Sequence, residues 1–247
     1  MHNPSTIANG SAAQFPSTLW SVVLAAGRSP SEKSQEALSR LCRSYWYPIY
    51  AFLRRQGKSP HDAEDITQGF FAALLDREGL GRVAPERGKF RSFLLACLHN
   101  YVCDQYDRSS AQKRGGGLEH FSLNTADAER RYLNEPAGQL NPEQIYERRW
   151  ALTLLDRVIG RLEGEHDTTG KGVRFERLST FLTGDGRADS YASAARDLSI
   201  TESAVKMAVL RMRQRYRELF LMEISETVES PDEVEGEMRH VFAVLAR

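Results

Sequence analysis

The sequence predicts an all-α protein, with two small helical domains joined by a flexible linker and a helix-turn-helix in the second. Three observations carry this expectation. Apolar residues recur at spacings of three and four through most of the chain, which lines them up on one side of a helix. No run alternates apolar and polar residues between turn signals, so no strand is expected. A polar stretch that opens with Gly115–Gly117 and continues to Asn141 separates two sets of helical patterns.

Residues 1–16 lack the charged and apolar regions of a signal peptide and read as a disordered leader. Ser17 or Thr18 can start a short helix through Trp20, Val23 and Leu24, which Gly27 and Pro30 end. A second helix is expected from about Ser31 to Gln56, through Leu38, Leu41, Cys42, Tyr45, Ile49, Phe52 and Leu53, kinked or interrupted at Pro48. The third spans Asp62 to about Asp76. Its first-turn acids Asp62, Glu64 and Asp65 suit the positive end of the helix dipole, and Ile66, Phe70, Ala73 and Leu74 form its core stripe. After a loop rich in glycine and arginine, a fourth helix runs from Lys89 to about Arg114 with Phe90, Phe93, Leu94, Cys97, Leu98, Tyr101 and Val102 on a wide apolar face. Residues 17–114 are thus the first domain and 115–141 the linker, with room for a short helix inside it.

Asn141-Pro142-Glu143 is a helix start, with asparagine as cap and proline at the first helical position. That helix is expected to reach about Leu162 through Ile145, Trp150, Leu154, Leu155, Val158 and Ile159, and a shorter one covers Phe175 to Leu182. Residues 190–220 then hold a short helical pattern, a turn and a longer helix that opens at Thr201 and aligns Val205, Val209, Met212, Tyr216 and Leu219. Its other side carries Lys206, Arg211, Arg213, Arg215 and Arg217 against only Glu202 and Glu218. A short helix, a tight turn and a basic helix make a helix-turn-helix that fits a DNA major groove. An ordinary helical hairpin with a solvated basic face has the same pattern, so this stretch alone leaves DNA binding open. Residues 142–222 form the second domain. The remainder, 223–247, is an acidic extension whose last helix starts at Pro231, with Val234, Met238, Val241, Phe242 and Leu245 on its apolar side.

Lysine plus arginine and aspartate plus glutamate both number 33, so no overall field draws the chain to nucleic acid. The cancellation is between segments: the basic helix is followed by seven acids from Glu223 to Glu237 before the next basic residue, Arg239. Three cysteines without a CxxC pair, and scattered histidines without an HExxH pair, point to core thiols, no structural metal and no cofactor in a reducing cytosol. No nucleophile triad or phosphate loop is present, so an enzyme is not expected. No apolar run approaches membrane-spanning length.

Three segments in order carry a more specific signal. AEDITQGFFAALL at 63–75 resembles the conserved region 2 helix of bacterial RNA polymerase sigma factors, those of the sigma-70 family and its extracytoplasmic-function (ECF) type in particular. FRSFLLACLHNYVCDQYDR at 90–108 resembles the promoter-melting helix that follows it, and LSITESAVKMAVLRMRQRYREL at 198–219 the region 4 recognition helix. The resemblance implies a protein that binds core RNA polymerase, directs it to a two-part promoter, helps melt the −10 element and performs no covalent chemistry. It implies core RNA polymerase and promoter DNA as partners, a bacterial cytoplasmic setting at the nucleoid, and room for an anti-sigma or other regulatory protein. Asp62, Glu64, Asp65 and Gln68 would then dock on the polymerase largest subunit. Arg82, Arg87, Lys89, Arg91 and Arg108 would supply charge at the −10 region, and His99 and Asn100 polar contacts, whereas Tyr101 fits the core stripe. At the −35 element Thr201, Ser203, Lys206, Met207 and Leu210 lie near the helix start, where bases are read, and Arg211 and Arg213 follow to hold phosphates. The chain departs from the family at Val205-Lys206-Met207-Ala208, where Val-Lys-Ser-Arg is frequent. Met207 would offer an apolar contact to a thymine methyl in place of a bidentate guanine contact. A helix-turn-helix regulator acting without polymerase would leave 62–108 unexplained and shows no heptad seam for a dimer. A non-catalytic helical interaction module is the remaining alternative.

Overall fold

The computed structural model describes residues 19–26, 31–75, 89–109, 125–134, 140–168, 172–182 and 191–246. Every regular element among them is helical. In order they are α1 (Leu19–Ala26), α2 (Glu32–Cys42), α3 (Trp46–Arg55), α4 (Pro60–Leu75), α5 (Phe90–Ser109), α6 (Thr125–Leu133), α7 (Pro142–Thr168), α8 (Gly172–Ser179), α9 (Tyr191–Asp197), α10 (Glu202–Ser225) and α11 (Val234–Leu245), with a 3₁₀ turn at Pro231–Glu233 before the last.

Local chemistry accounts for most boundaries. Ser31 caps α2: its hydroxyl accepts from the Ser34 N–H (3.2 Å), and the Ser34 hydroxyl accepts from the Ser31 N–H (2.9 Å). The helix expected over 31–56 is two helices. The chain breaks at 43–45, so Pro48 falls in the first turn of α3, where its missing N–H has no helical acceptor to lose. Asn141 and Gln144 form a reciprocal cap on α7, at 2.8 and 3.0 Å. That helix continues past the expected end at Leu162 to Thr168, held there by two hydrogen bonds from Arg215 to Glu165 (2.7 and 2.9 Å).

At about 1.5 Å per residue, α7 is the long rod of the molecule. Tyr146, Trp150, Leu154, Val158 and Leu162 recur every fourth residue on its buried side. It packs along α3, α10 and α11. The centre of the core is aromatic: Trp20, Tyr45, Phe90, Tyr146 and Trp150 are fully buried, with Phe90 about 5.0 Å from the rings of both Trp20 and Tyr45. α4 packs on α2, α3 and α5, and α9 on α10.

Three placements differ from the sequence expectation. Within the stretch expected to be linker, α6 is fixed to α3: Glu129 accepts from Tyr50 (2.6 Å) and twice from Arg54 (2.8 and 2.9 Å), and Arg54 stacks over Tyr132. The Arg54 hydrogen bonds, despite some burial, hold the Glu129 carboxyl below its ordinary range. Cys42 and Cys97 are buried, and burial pushes the Cys97 thiol up to about 12, but Cys103 is exposed rather than in the core. It lies on the outward side of α5, six residues past Cys97 and off the Phe93–Leu94–Cys97–Leu98 face. On α11, Phe242 is 57% exposed, while Glu237, Val241 and Val244 point inward. The helix is seated by the Glu237 carboxylate and two buried valines, with Val234, Met238 and Leu245 partly buried against the core.

Candidate nucleic-acid and polymerase interface

Three exposed surfaces hold the residues singled out in the sequence. The first is the outer side of α4. Ala63, Thr67, Phe70, Phe71 and Leu74 bury its inner side, which turns Asp62 and Asp65 to solvent and leaves Glu64 and Gln68 half-buried at the margin. Ser59 accepts from the Asp62 N–H (3.1 Å) and donates to its carboxylate (2.7 Å). Gln68 donates to Glu64 (3.1 Å), and His61 stands 3.6 Å from Asp65. The Asp62 and Asp65 contacts are within the helix or its cap, so among the described residues these two carboxylates are not spent on tertiary structure.

The second surface is α5. Ser92, Ala96, His99, Asn100 and Cys103 are exposed along it. His99 meets the Phe52 ring edge-on at 5.4 Å, and Asn100 faces solvent. Tyr101 packs against Phe70, and its hydroxyl lies over Gly69 and accepts from Gln105 (2.7 Å), a partly buried role. A Cβ on residue 69 would stand 2.5 Å from that hydroxyl, so any larger residue there would push the Tyr101 side chain aside.

Lys89 and Arg91 are not on this surface, contrary to the expectation from their charge. Glu237 of α11, wholly buried, binds Lys89 (2.6 Å) and Arg91 (2.7 Å). Arg91 is 11% exposed, also pairs with Glu147 (2.9 Å), and stacks over Trp150. The Tyr146 hydroxyl donates to the Arg91 carbonyl (2.9 Å). Burial opposes the guanidinium charge, and hydrogen bonding to Glu237 with the fields of Glu237 and Glu147 outweighs it, so Arg91 holds its proton above the ordinary arginine value. Sequence patterning had no means to find this knot, because its partners are 56 and 146 residues away. Arg82 and Arg87 lie outside the described residues. Arg108 falls in α5, but its side chain is likewise outside them.

The third surface is α9 and α10. Between the two helices Ser199 adopts φ 54°, the left-handed turn conformation, and Ile200 N–H reaches back to the Ala195 carbonyl (3.0 Å). Thr201 caps α10, accepting from the Ala204 N–H (3.2 Å). Because a non-glycine residue in this region is strained, Ser199→Gly is expected to raise stability by about 0.5–1 kcal/mol, read as a higher urea midpoint with unchanged slope.

Val205, Val209, Met212, Leu219 and Phe220 bury the inner side of α10. Ser203, Met207, Leu210, Gln214 and Arg217 form one outward stripe, with Met207 49% and Leu210 57% exposed. Gln214 belongs with the expected contacts, and the spacing of four, three, four and three from Ser203 through Arg217 was the signal for it. Lys206 flanks the stripe on one side, paired with Glu202 (2.7 Å) and near the Tyr191 ring; the Glu202 hydrogen bond holds its charge above the ordinary lysine range. Arg213, on the same side, donates to the Phe181 carbonyl (2.9 Å). Arg211 lies on the other side, in a groove with Arg174, His166 and Arg215. Arg215 itself is taken up by Glu165 and Glu218. Arg211 and Arg217 have no ion-pair partner among the described residues.

No group of histidine, cysteine and acidic side chains that could hold a metal occurs among the described residues, and no described helix is long and apolar enough to cross a membrane.

Residues 35–112, from within α2 to just past α5, match the family model for sigma-70 region 2. The match covers the α4 acids and His99 and Asn100, and stops before α9 and α10. No curated protein and no solved structure matches the chain. Residues 35–112 are similar to the region of sigma-70 factors that takes part in promoter recognition and transcription initiation by RNA polymerase.

Proposed function

We propose that the chain is a sigma factor of the extracytoplasmic-function type, that it binds core RNA polymerase through the outer side of α4, and that it grips promoter DNA at two places. Asp62, Asp65, Glu64 and Gln68 form the polymerase contact. The exposed side of α5, with His99 and Asn100, and Arg87 ahead of it in the sequence meet the −10 strand and help open it. Opened bases need polar and stacking partners, and opened strands need phosphate neutralisation. The pair α9–α10 is the helix-turn-helix for the −35 element, so that residues 17–114 serve as region 2 and 142–222 as region 4. Met207 and Leu210 meet base edges through apolar contact, and Arg211, Arg213 and Arg217 hold the backbone. No step involves covalent chemistry.

The observation that carries this reading is the outward stripe of α10, a polar and apolar strip with free arginines beside it, in a chain that also holds region 2. A solvated helix has no need to expose Met207 and Leu210 together. The decisive test is to add the purified chain to core polymerase and follow complex formation, then promoter-dependent initiation. Complex formation with initiation supports the proposal; DNA binding without either favours a regulator that acts alone. Arg211→Ala is expected to weaken promoter binding across sequences and lower the log–log salt slope by about 0.9, the value for one lost phosphate contact. A slope equal to that of the unaltered chain would remove Arg211 from the backbone contact.

A further inference from the structure

The two flanks of the outward stripe of α10 treat their cations differently. On one, Lys206 is paired with Glu202 and Arg213 donates to the Phe181 carbonyl. On the other, α10 faces the junction of α7 and α8 across a groove of about 490 Å³. Leu178 and Met212, both buried, lie at its base, and Ala208 puts only a methyl group on the α10 side. The groove is thereby left open between the two helices.

The charged side chains along it are arginines: Arg174 of α8, and Arg211 and Arg215 of α10, with His166 of α7 beside them. No acidic side chain lines it among the described residues. Glu165 and Glu218 reach Arg215 from outside the groove, at 2.7 and 2.8 Å. Arg174 and Arg211 have no ion-pair partner among the described residues. The contrast is plain within α8, where Arg177 is held by Asp197 (2.7 Å) while Arg174, three residues earlier and half-buried, has no such acid. Two uncompensated guanidiniums in one groove repel each other, and a cleft lined by one sign of charge concentrates counter-ions.

The position of the groove selects the anion. Arg211 directly follows Leu210, so the groove runs beside the stripe that faces base edges. A helix about 10–12 Å across fills a major groove about 12 Å wide, and each flank of an inserted helix then meets a phosphate strand. Guanidinium groups suit phosphate oxygens two at a time. We propose that the groove between α10 and the α7–α8 junction is a site for the phosphate backbone of one DNA strand, held by Arg211 from α10 and Arg174 from α8. This rests on the reading of α10 as the recognition helix. It extends the DNA contact to α8, a helix outside the helix-turn-helix.

The test uses the full chain and a duplex that the unaltered chain selects from a randomised pool. Arg174→Ala is expected to lower the log–log salt slope of binding by about 0.9, the value for one phosphate contact, and to weaken every sequence variant of the duplex alike. Arg174→Lys keeps the charge and should keep the slope. The urea midpoint of Arg174→Ala should equal that of the unaltered chain, because no ion pair is lost. If that variant does unfold, Arg174→Gln, which keeps the aliphatic stem, reads the same slope. An unchanged slope in a folded variant overturns the proposal. An unchanged slope together with Arg174-dependent binding of inorganic pyrophosphate, read by calorimetry, assigns the groove to a free phosphate and overturns the DNA strand as its occupant. If the unaltered chain selects no duplex, the recognition-helix reading itself fails and this proposal with it, which separates that failure from the loss of Arg174 alone.

Discussion

Arg91→Ala is expected to cost about 3–5 kcal/mol of folding stability, the penalty for leaving a buried charge without its partner. The change strips Glu237 of its closest guanidinium contact and Glu147 of its guanidinium partner, and it removes the planar group over Trp150. Lys89 remains beside Glu237 but is 27% exposed, and a single ammonium cannot serve both acids. Against total stabilities of about 5–15 kcal/mol, such a loss brings the chain close to unfolding, read as a large drop in the urea midpoint. Arg91→Lys should recover only part of it, because one point charge cannot reproduce two directed contacts to two carboxylates. The double change Arg91→Met with Glu237→Leu should recover part of it, since apolar side chains of similar volume replace that pair without desolvating charge, while Glu147 still lacks its guanidinium partner. If Arg91→Ala costs less than about 1 kcal/mol, the level of an exposed pair, the knot is not buried in solution.

Reversing the charge of α4 with Asp62→Arg and Asp65→Arg is expected to weaken binding to core polymerase about 100-fold. Placing cations where an interface has been matched to anions costs several kcal/mol, and each 1.4 kcal/mol is a factor of ten. The fold should survive it. Among the described residues, Asp62 pairs with the cap residue Ser59 and Asp65 with His61. The local cost is that of cations in the first turns of a helix, about 0.3–1 kcal/mol each. A competition assay against a second sigma factor reads the affinity. DNA binding by α9–α10 should be unaltered, because that surface is on other helices. A holoenzyme that forms at ordinary affinity would place the polymerase contact elsewhere.

The two predictions rest on charges that look alike in the sequence and behave in opposite ways. Asp62 and Asp65 were legible. Helical period fixed the inner side of α4 through Phe70 and Leu74, with Ile66 half-buried and Ala73 exposed rather than in the expected stripe, and what remains on the other side must face water. The same local rule placed Met207 and Leu210 outward on α10, and capping chemistry placed Thr201 and Asn141 at helix starts. These features depend on residues within one or two turns of each other, so the order of residues determines them.

Arg91 was not legible. It stands at the start of a helix in a segment that resembles a promoter-melting element, and its charge points to DNA. Glu237, from the far end of the chain, turns it inward. Glu129 makes the same point: its partners Tyr50 and Arg54 make a helix fixed to α3 out of a polar stretch that reads as linker. Phe242 fits the apolar stripe of the last helix and is nonetheless 57% exposed, at the edge of its packing on α7 and α10, with only the Phe220 ring beside it at 5.9 Å. The sequence by itself determined most of the helical segments, the capped starts of α7 and α10, and the sides of α4 and α10 that meet solvent. The tertiary structure decided which charges remain for partners, since an ion pair depends on what lies within a few ångströms and carries no period along the chain.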